Sequence, residues 1–154
     1  MIKVPYHRQE FWFSCLPACI KMLSEFHNFK MEEKALRKLF KTTIRGGTSW
    51  SYIVIGLREI GLDFVYLKDQ TLSKLKNLIE NGIPVIVSID SRKLGDIEHR
   101  NHTIIVIDIN ENYVIVHDTE KGPDVKLDVK TFVDAWERRN YRMGYVGGSF
   151  QITP

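Results

Sequence analysis

The order of periodicities along this chain predicts an α+β fold, with N-terminal helices packed on a C-terminal antiparallel β-sheet. Three observations predict it. Apolar residues recur at helical spacing from Cys15 to about Phe40. Two Ile- and Val-rich runs, 84–89 and 103–109, follow at lengths suited to buried strands. The second run leads through Asn110, Glu111 and Asn112 into a third β-rich run over 113–116, as a hairpin would. Helices first and strands afterwards is the pattern of an α+β domain. The length of 154 residues and a hydrophobic content of 44% suit one domain over 1–154 with one core.

In chain order, the first helix begins at or just before Cys15. Pro17 falls in its first turn, where a missing N–H has no partner to lose. Ala18, Cys19, Met22 and Phe26 then share one face, with Lys21, Ser24 and Glu25 off it. The stretch 31–40 is amphipathic and basic: Ala35, Leu36, Leu39 and Phe40 lie on one face, Lys34, Arg37, Lys38, Lys41 and Arg45 on another. A net charge of only +3 and dispersed acidic residues mark that basic face as solvated rather than as a nucleic-acid or lipid surface. Gly46 and Gly47 form a loop before a third helix over 49–59, which Gly61 ends, and 62–67 reads as a strand. A fourth helix runs from Thr71 and stops at Asn81 and Gly82, ahead of the strand over 84–89. Residues 90–101 make a charged loop placed to wall a cleft. A short helix over 131–138 carries Trp136, and a last strand over 145–152 contains Gly147 and Gly148, which suggest a bulge or close packing.

The chemistry starts at Cys15. A free thiol has a pKa of about 8.5, and the positive end of a helix dipole helps it to ionise. Cysteine is also among the most frequently buried residue types, so Cys15 alone is better read as packing. Gln9, six residues earlier, shifts the balance away from a solvated loop residue. Acyl transfer through a thiolate needs donors aimed at the developing oxyanion, and a carboxamide can supply one beside the backbone N–H of the cysteine.

A base must come from the five histidines. His102 immediately precedes the apolar run 103–109, and strand ends are where site residues collect. With a three-residue hairpin loop, Ile109 opposes Tyr113 and Asp118 opposes Ile104, which puts His102 diagonally across on the face of Asp118. Asp108, near the turn, is too far along to serve. His7 in the N-terminal extended segment, His27 at the end of the first helix and His99 in the charged loop read as surface histidines. His117 precedes Asp118 but points to the other face of its strand, and is read as the partner of a backbone carbonyl.

Two stretches, QEFWFSCLPACIKML and NHTIIVIDINENYVIVHDTEKGP, carry a resemblance to the papain-like, bacteriocin-processing peptidases that cleave leader peptides after a double glycine, often as the front domain of a transporter. GGTSWSYIVIGLREIGLDF and NGIPVIVSID are similar in support, and the resemblance covers nearly the whole chain. It implies a papain-like cysteine peptidase fold with Cys15 as nucleophile, His102 as base, Asp118 as the residue that orients it, and Gln9 as oxyanion donor. It also implies a peptide or protein substrate and no metal or organic cofactor. Three positions depart from the family pattern. Ser14 stands where an acidic residue is usual, Leu16 where glycine commonly follows the nucleophile, and Thr119 where proline is common after the aspartate. Leu16 bears on double-glycine specificity more than on the chemistry.

Composition excludes several alternatives. The N-terminus lacks the apolar stretch of a signal peptide, and no segment approaches the roughly 20 apolar residues that span a bilayer, so a cytoplasmic location is expected. Two cysteines at i and i+4 form neither a disulfide framework nor a CxxC zinc pattern, which leaves Cys19 to the core. No GxxxxGK phosphate loop occurs, so a transporter ATPase would be a separate polypeptide. Two other readings use the same residues: an amidase or acyltransferase, and a leader-peptide-binding module without turnover. A nucleic-acid-binding role ranks lower, because no recognition motif accompanies the lysines.

Overall fold

The computed structural model describes residues 1–96 and 101–147. Three helices come first: α1 (Cys15–Phe26), α2 (Glu33–Leu39) and α3 (Trp50–Glu59). Strand β1 (Phe64–Leu67), helix α4 (Leu72–Glu80) and strand β2 (Val85–Asp90) follow, and a 3-10 turn (Ser91–Leu94) leaves β2. The chain closes with β3 (Asn101–Ile109), β4 (Tyr113–Asp118), β5 (Gly122–Asp128), helix α5 (Val129–Glu137) and β6 (Met143–Val146). The strands form one antiparallel sheet in the order β1-β6-β2-β3-β4-β5.

Both faces of the sheet are covered. On one, Cys19, Ile20, Met22 and Leu23 of α1, Leu36 of α2 and Ile53 and Leu57 of α3 pack with Phe64, Ile86, Ile105, Ile107 and Val146. On the other, Leu75, Leu78 and Ile79 of α4 and Phe132, Ala135 and Trp136 of α5 pack with Val85, Val87, Ile89, Ile104, Val106, Val116 and Met143. A strand buried on both sides has no polar face to alternate with, which is why β2 and most of β3 read as continuous apolar runs. The N-terminal helices lie on one face, as expected; α4 and α5 add the second layer.

The expected helices form within two residues of their expected ends, and several details differ. Ser24 lies off the expected apolar face of α1 yet is fully buried, because helices and sheet enclose this part of α1 nearly all round. Ala35 is exposed, whereas Leu36 and Phe40 are in the core. The segment 90–101 is not one loop: Asp90 ends β2, the 3-10 turn follows, and β3 already begins at Asn101. His99 and the end of the expected last strand, 148–152, lie outside the described residues. Strand β5 is not anticipated. It is an edge strand whose side chains are mostly half-buried or exposed, and it contains Pro123, so it carries no apolar run to reveal it.

The β3–β4 hairpin reaches the expected pairing by an unexpected route. Ile109 opposes Val114, not Tyr113, and the Asn110 N–H donates to the Tyr113 carbonyl at 2.9 Å, so the loop is one residue longer than expected. A bulge between Val106 and Asp108 then absorbs the extra residue, and Ile104 opposes Asp118 after all. Without the bulge, Asp118 would point to the other face of the sheet.

The first thirteen residues have no regular structure, but their hydrogen bonds lay them along the sheet. The Ile2 N–H donates to the Ile107 carbonyl at 2.9 Å, the Tyr6 hydroxyl to the Asp118 carbonyl at 2.7 Å, and the Gln9 N–H to the Thr119 carbonyl at 3.0 Å.

Gly144 of β6 marks the tightest approach across the sheet. A Cβ there would lie 2.2 Å from Phe64 Cζ and 2.9 Å from Trp50 Cζ3. Trp50 stacks on Phe64 and Tyr66, with ring centroids 6.2 and 4.7 Å apart. Gly144→Ala is therefore expected to overpack this stack and lower unfolding stability by about 1–3 kcal/mol, measured by urea denaturation.

Candidate active site

Cys15 is the first residue of α1, and a tight turn before it sets where the helix starts. The Phe11 carbonyl accepts from the Ser14 N–H at 3.1 Å, from Ser14 Oγ at 2.9 Å and from Gln9 Nε2 at 2.7 Å, while the Phe11 N–H donates to Ser14 Oγ at 3.0 Å. Ser14 is fully buried and spends its hydroxyl inside this turn. The first helical bond runs from the Ala18 N–H to the Ser14 carbonyl at 3.0 Å. The N–H of Cys15 thus belongs to the first turn, where amides have no intrahelical acceptor and the dipole is positive.

His102 and Asp118 come from neighbouring strands and meet. His102 Nε2 lies 2.9 Å from Asp118 Oδ1, with both side chains at most 5% exposed. Asp118 Oδ1 also accepts from the backbone N–H groups of Glu120 at 2.9 Å and Lys121 at 3.1 Å, so it acts as an acceptor and the Nε2 proton belongs to the imidazole. Cys15 and His102 both line the cleft, and each shifts the other's pKa toward the charged form. The Glu120 carboxylate stands 3.7 Å from Nδ1, a neighbour that lies two residues beyond the predicted aspartate.

Electrostatics follows from these contacts. Burial pushes the Cys15 thiol up, but the hydrogen bond and charge of His102, with hydrogen bonds from Thr103, outweigh it and leave the thiol below its ordinary value. Burial opposes the charged form of His102 too. The bonds to Asp118 and Cys15 and their charges overcome it and push the imidazole up to about 10. Asp118 is raised by burial, then lowered further by the His102 bond and charge and by the two backbone N–H groups, and ends below its usual value. The three groups favour a thiolate, an imidazolium and a carboxylate together, a coupled set in which each charge stabilises its neighbour.

Gln9 is placed differently from the other three. Its Oε1 accepts from the Thr119 hydroxyl at 2.6 Å and its Nε2 donates to Phe11, so the carboxamide sits against the turn. It does not line the cleft that holds Cys15 and His102. A carboxamide has a second Nε2 proton, and Phe11 uses only one. Two of the other histidines, His117 and His7, have structural partners. His117 Nε2 donates to the Val4 carbonyl at 2.7 Å, its Nδ1 accepts from the Asp124 N–H at 3.2 Å, and Tyr6 packs edge-on against its ring. His7 pairs with Glu25. His27 is half-buried rather than a surface residue, and burial lowers its pKa.

One supporting residue is invisible in the sequence. Glu33, at the start of α2, is 1% exposed; its carboxylate accepts from the Glu10 N–H at 3.0 Å and pairs with Arg37, which also bonds Glu10 Oε1 at 2.9 Å. Burial raises its pKa. Its bond to the Glu10 N–H ties α2 to the segment that leads into the turn ahead of the nucleophile. It reads as one acid among many in a basic helix, and only the packing of α2 on α1 buries it.

A cleft of about 410 Å³ opens at Cys15 and His102. Trp12, Phe13, Leu16, the segment 44–50 and Ser88, Asn101, Thr103, Arg139 and Arg142 line it among the described residues. A helix-borne thiol facing a strand-borne imidazole and carboxylate across such a cleft defines the papain-like class of fold. The chain belongs to the Peptidase_C39 like family, whose model matches residues 1–143. Among solved structures, the peptidase domain of Streptococcus ComA, a bi-functional ABC transporter of a quorum-sensing pathway, superposes with a TM-score of 0.76 at 18% identity, covering 94% of this chain and 98% of that one. A double glycine motif protease from an AMS/PCAT transporter, solved in complex with the leader peptide, gives 0.74 at 19% identity over 94% and 93%. A protein from Bacillus anthracis, assigned as a C39-like peptidase, gives 0.75 at 15% identity over 94% and 95%. At these identities the likeness is one of fold. No curated protein matches the chain. Among the described residues, no helix is long and apolar enough to cross a membrane.

The electrostatics predicts the pH dependence of Cys15. Its lowered pKa keeps a thiolate below the ordinary thiol range, and the raised His102 pKa keeps the imidazolium up to about 10. Alkylation of Cys15 by iodoacetamide, with the adduct located by mass spectrometry, should proceed at pH near 6. In His102→Ala burial is opposed only by the hydrogen bonds of Thr103, so the rate at that pH should fall by about tenfold or more, one factor of ten in thiolate for each unit of pKa. Labelling that rises only near pH 8.5 in the unmodified protein would contradict the ion pair.

Proposed function

We propose that this protein is a cysteine peptidase that cleaves a peptide bond by thiolate attack, with a bond after a double glycine as the first candidate substrate. The observation that carries the reading is the array Cys15, His102, Asp118 at the edge of an open cleft, with a 2.9 Å bond between imidazole and carboxylate. Membership of the peptidase family supports it.

The proposed reaction uses these residues in order. The Cys15 thiolate attacks the carbonyl carbon, and the carbonyl oxygen gathers negative charge beside the Cys15 N–H, with Gln9 Nε2 as the second donor once its carboxamide turns from Phe11 toward the cleft. The His102 imidazolium passes its Nδ1 proton to the leaving amine, and the C–N bond breaks to give an acyl-thiol intermediate. Neutral His102 then takes a proton from water, whose oxygen displaces the thiolate and releases the acid. Throughout, Asp118 holds the Nε2 proton and keeps Nδ1 pointed at sulfur, so the ring neither flips nor changes tautomer. Trp12, Phe13, Leu16 and Trp50 give the cleft apolar walls. Small residues beside the scissile bond suit such walls, because a bulkier side chain would clash with Leu16 beside the nucleophile. On this reading the reaction runs in the cytoplasm and its product passes to a transporter.

A second reading is favoured by one observation: Gln9 Nε2 is bonded to Phe11 and does not line the cleft. A leader-binding module without turnover would tolerate that arrangement. Incubation with peptides ending a leader segment in Gly-Gly, and with a blocked peptide library, separates the two by mass spectrometry. Cleavage that vanishes in Cys15→Ala supports the peptidase; tight binding by both proteins with no product supports the module. For the peptidase, Asp118→Asn should lower kcat by about 10²- to 10⁴-fold, since the amide allows the wrong imidazole tautomer.

A further inference from the structure

Three arginines line the cleft, and none takes part in the steps above. Arg45 lies in the loop before α3, Arg139 just after α5 and Arg142 just before β6. No aspartate or glutamate lines the cleft among the described residues. Elsewhere two guanidinium groups, one half-buried and one exposed, are paired with carboxylates. Arg37 is held by Glu10 and Glu33, and Arg92 bonds Asp90 through Nε at 3.3 Å and Nη2 at 3.0 Å.

Arg139 and Arg142 are treated differently. Both are half-buried. Arg139 Nε donates to the Ser88 hydroxyl at 3.3 Å, a neutral partner. Arg142 Nε is buried without a hydrogen-bond partner among the described residues, although its backbone carbonyl accepts from Trp136 Nε1 at 2.8 Å and so anchors the residue. Burial lowers the pKa of Arg139, and the charge of Arg142 lowers it further, together more than Tyr66 and Asp90 restore: the two cations repel each other in a partly desolvated place. Such an arrangement is costly when empty and is relieved by an anion, most effectively one whose two oxygens match the guanidinium fork. A peptide offers one such group, the carboxylate.

We propose that Arg139 and Arg142, with the Ser88 hydroxyl beside them, form a carboxylate-receiving subsite that selects peptides bearing a carboxylate close to the scissile bond. Arg45, on the segment 44–50, adds a third positive charge to the same cleft. The inference rests on the peptidase reading for its substrate class. The carboxylate belongs either to an acidic side chain or to a free C-terminus, and both present the same two oxygens.

Two alkylating agents of nearly equal size test the site without turnover. Iodoacetate carries a carboxylate and iodoacetamide does not, so the ratio of their rates at Cys15 reads the anion attraction of the cleft. The ratio in the unmodified protein should exceed that in the Arg139→Gln/Arg142→Gln protein by about tenfold and should fall with added salt. An equal ratio in the two proteins overturns the subsite. Should the double variant not fold, the single Gln variants are compared with Arg139→Lys and Arg142→Lys, which keep the charge; equal ratios for Gln and Lys overturn it as well. A Cys15 that alkylates slowly with both reagents at pH 6 contradicts the peptidase reading, yet still yields a ratio, so the two failures are distinct.

Peptides then identify the source of the carboxylate. One series is blocked at both ends and scans Asp against Asn and Glu against Gln through the positions around the cleaved bond. The other has a neutral sequence and a C-terminal acid or amide. An acidic side chain as ligand predicts a kcat/KM preference of about tenfold or more in the first series only, a terminal carboxylate in the second only. The preference should collapse in the Gln variants. No preference in either series overturns the proposal.

Discussion

The N-terminal half of α1 is buried against β3, with Cys19 Sγ 3.5 Å from the Thr103 carbonyl, and that contact sets how far a thiol on a helix stands from an imidazole on a strand. Cys19 is one helical turn beyond Cys15, and Thr103 is the residue after His102. The packing of the inner pair therefore fixes the outer pair. Because the helix is enclosed nearly all round, Cys15 has little freedom to move relative to the sheet. Burial keeps Cys19 protonated, pushing its thiol well above the ordinary value, so the two cysteines have opposite characters despite being one turn apart.

That difference follows from partners as well as from depth. Cys19 is fully buried and Cys15 half-buried at the cleft, and burial by itself favours the neutral thiol at both. Cys15 meets the imidazole of His102; Cys19 meets only the hydroxyl and carbonyl of Thr103 and feels the charge of Cys15 besides. The charge of His102 depends in turn on Asp118, which is held by two backbone N–H groups just beyond β4. The register of β4 thus governs the ionisation of a thiol on a helix. The four-residue hairpin loop and the bulge in β3 together set that register.

The N-terminal segment completes the arrangement without forming a regular element. Its hydrogen bonds to β3 and to the end of β4 carry Gln9 to Thr119, and the turn from Phe11 to Ser14 then starts α1. Glu33 and Arg37 of α2 brace the same turn from the other side. Ser14, at a position where the family usually has an acid, contributes its hydroxyl to the turn, while a buried carboxylate reaches that turn from Glu33.

Much of this is legible in the sequence. The helix starting at Cys15, with Pro17 in its first turn, follows from backbone chemistry that no tertiary contact is needed to explain. The helices follow from periodicity, and β2 and β3 from runs too short for helices and too apolar for loops. The pairing of Ile104 with Asp118 is also as expected, although two deviations, a longer loop and a bulge, cancel to produce it. Strand β5 is not legible, because an edge strand with Pro123 and a solvated face lacks the apolar signal. Nor is the burial of Glu33, or the turning of Gln9 toward Phe11. Local propensity and period act over a few residues, so the sequence by itself determined the elements and the chemical types at Cys15, His102 and Asp118. Whether those types meet, at what charge, and beside which arginines was decided by the tertiary structure alone, because pKa values and cleft walls depend on groups far apart in the chain.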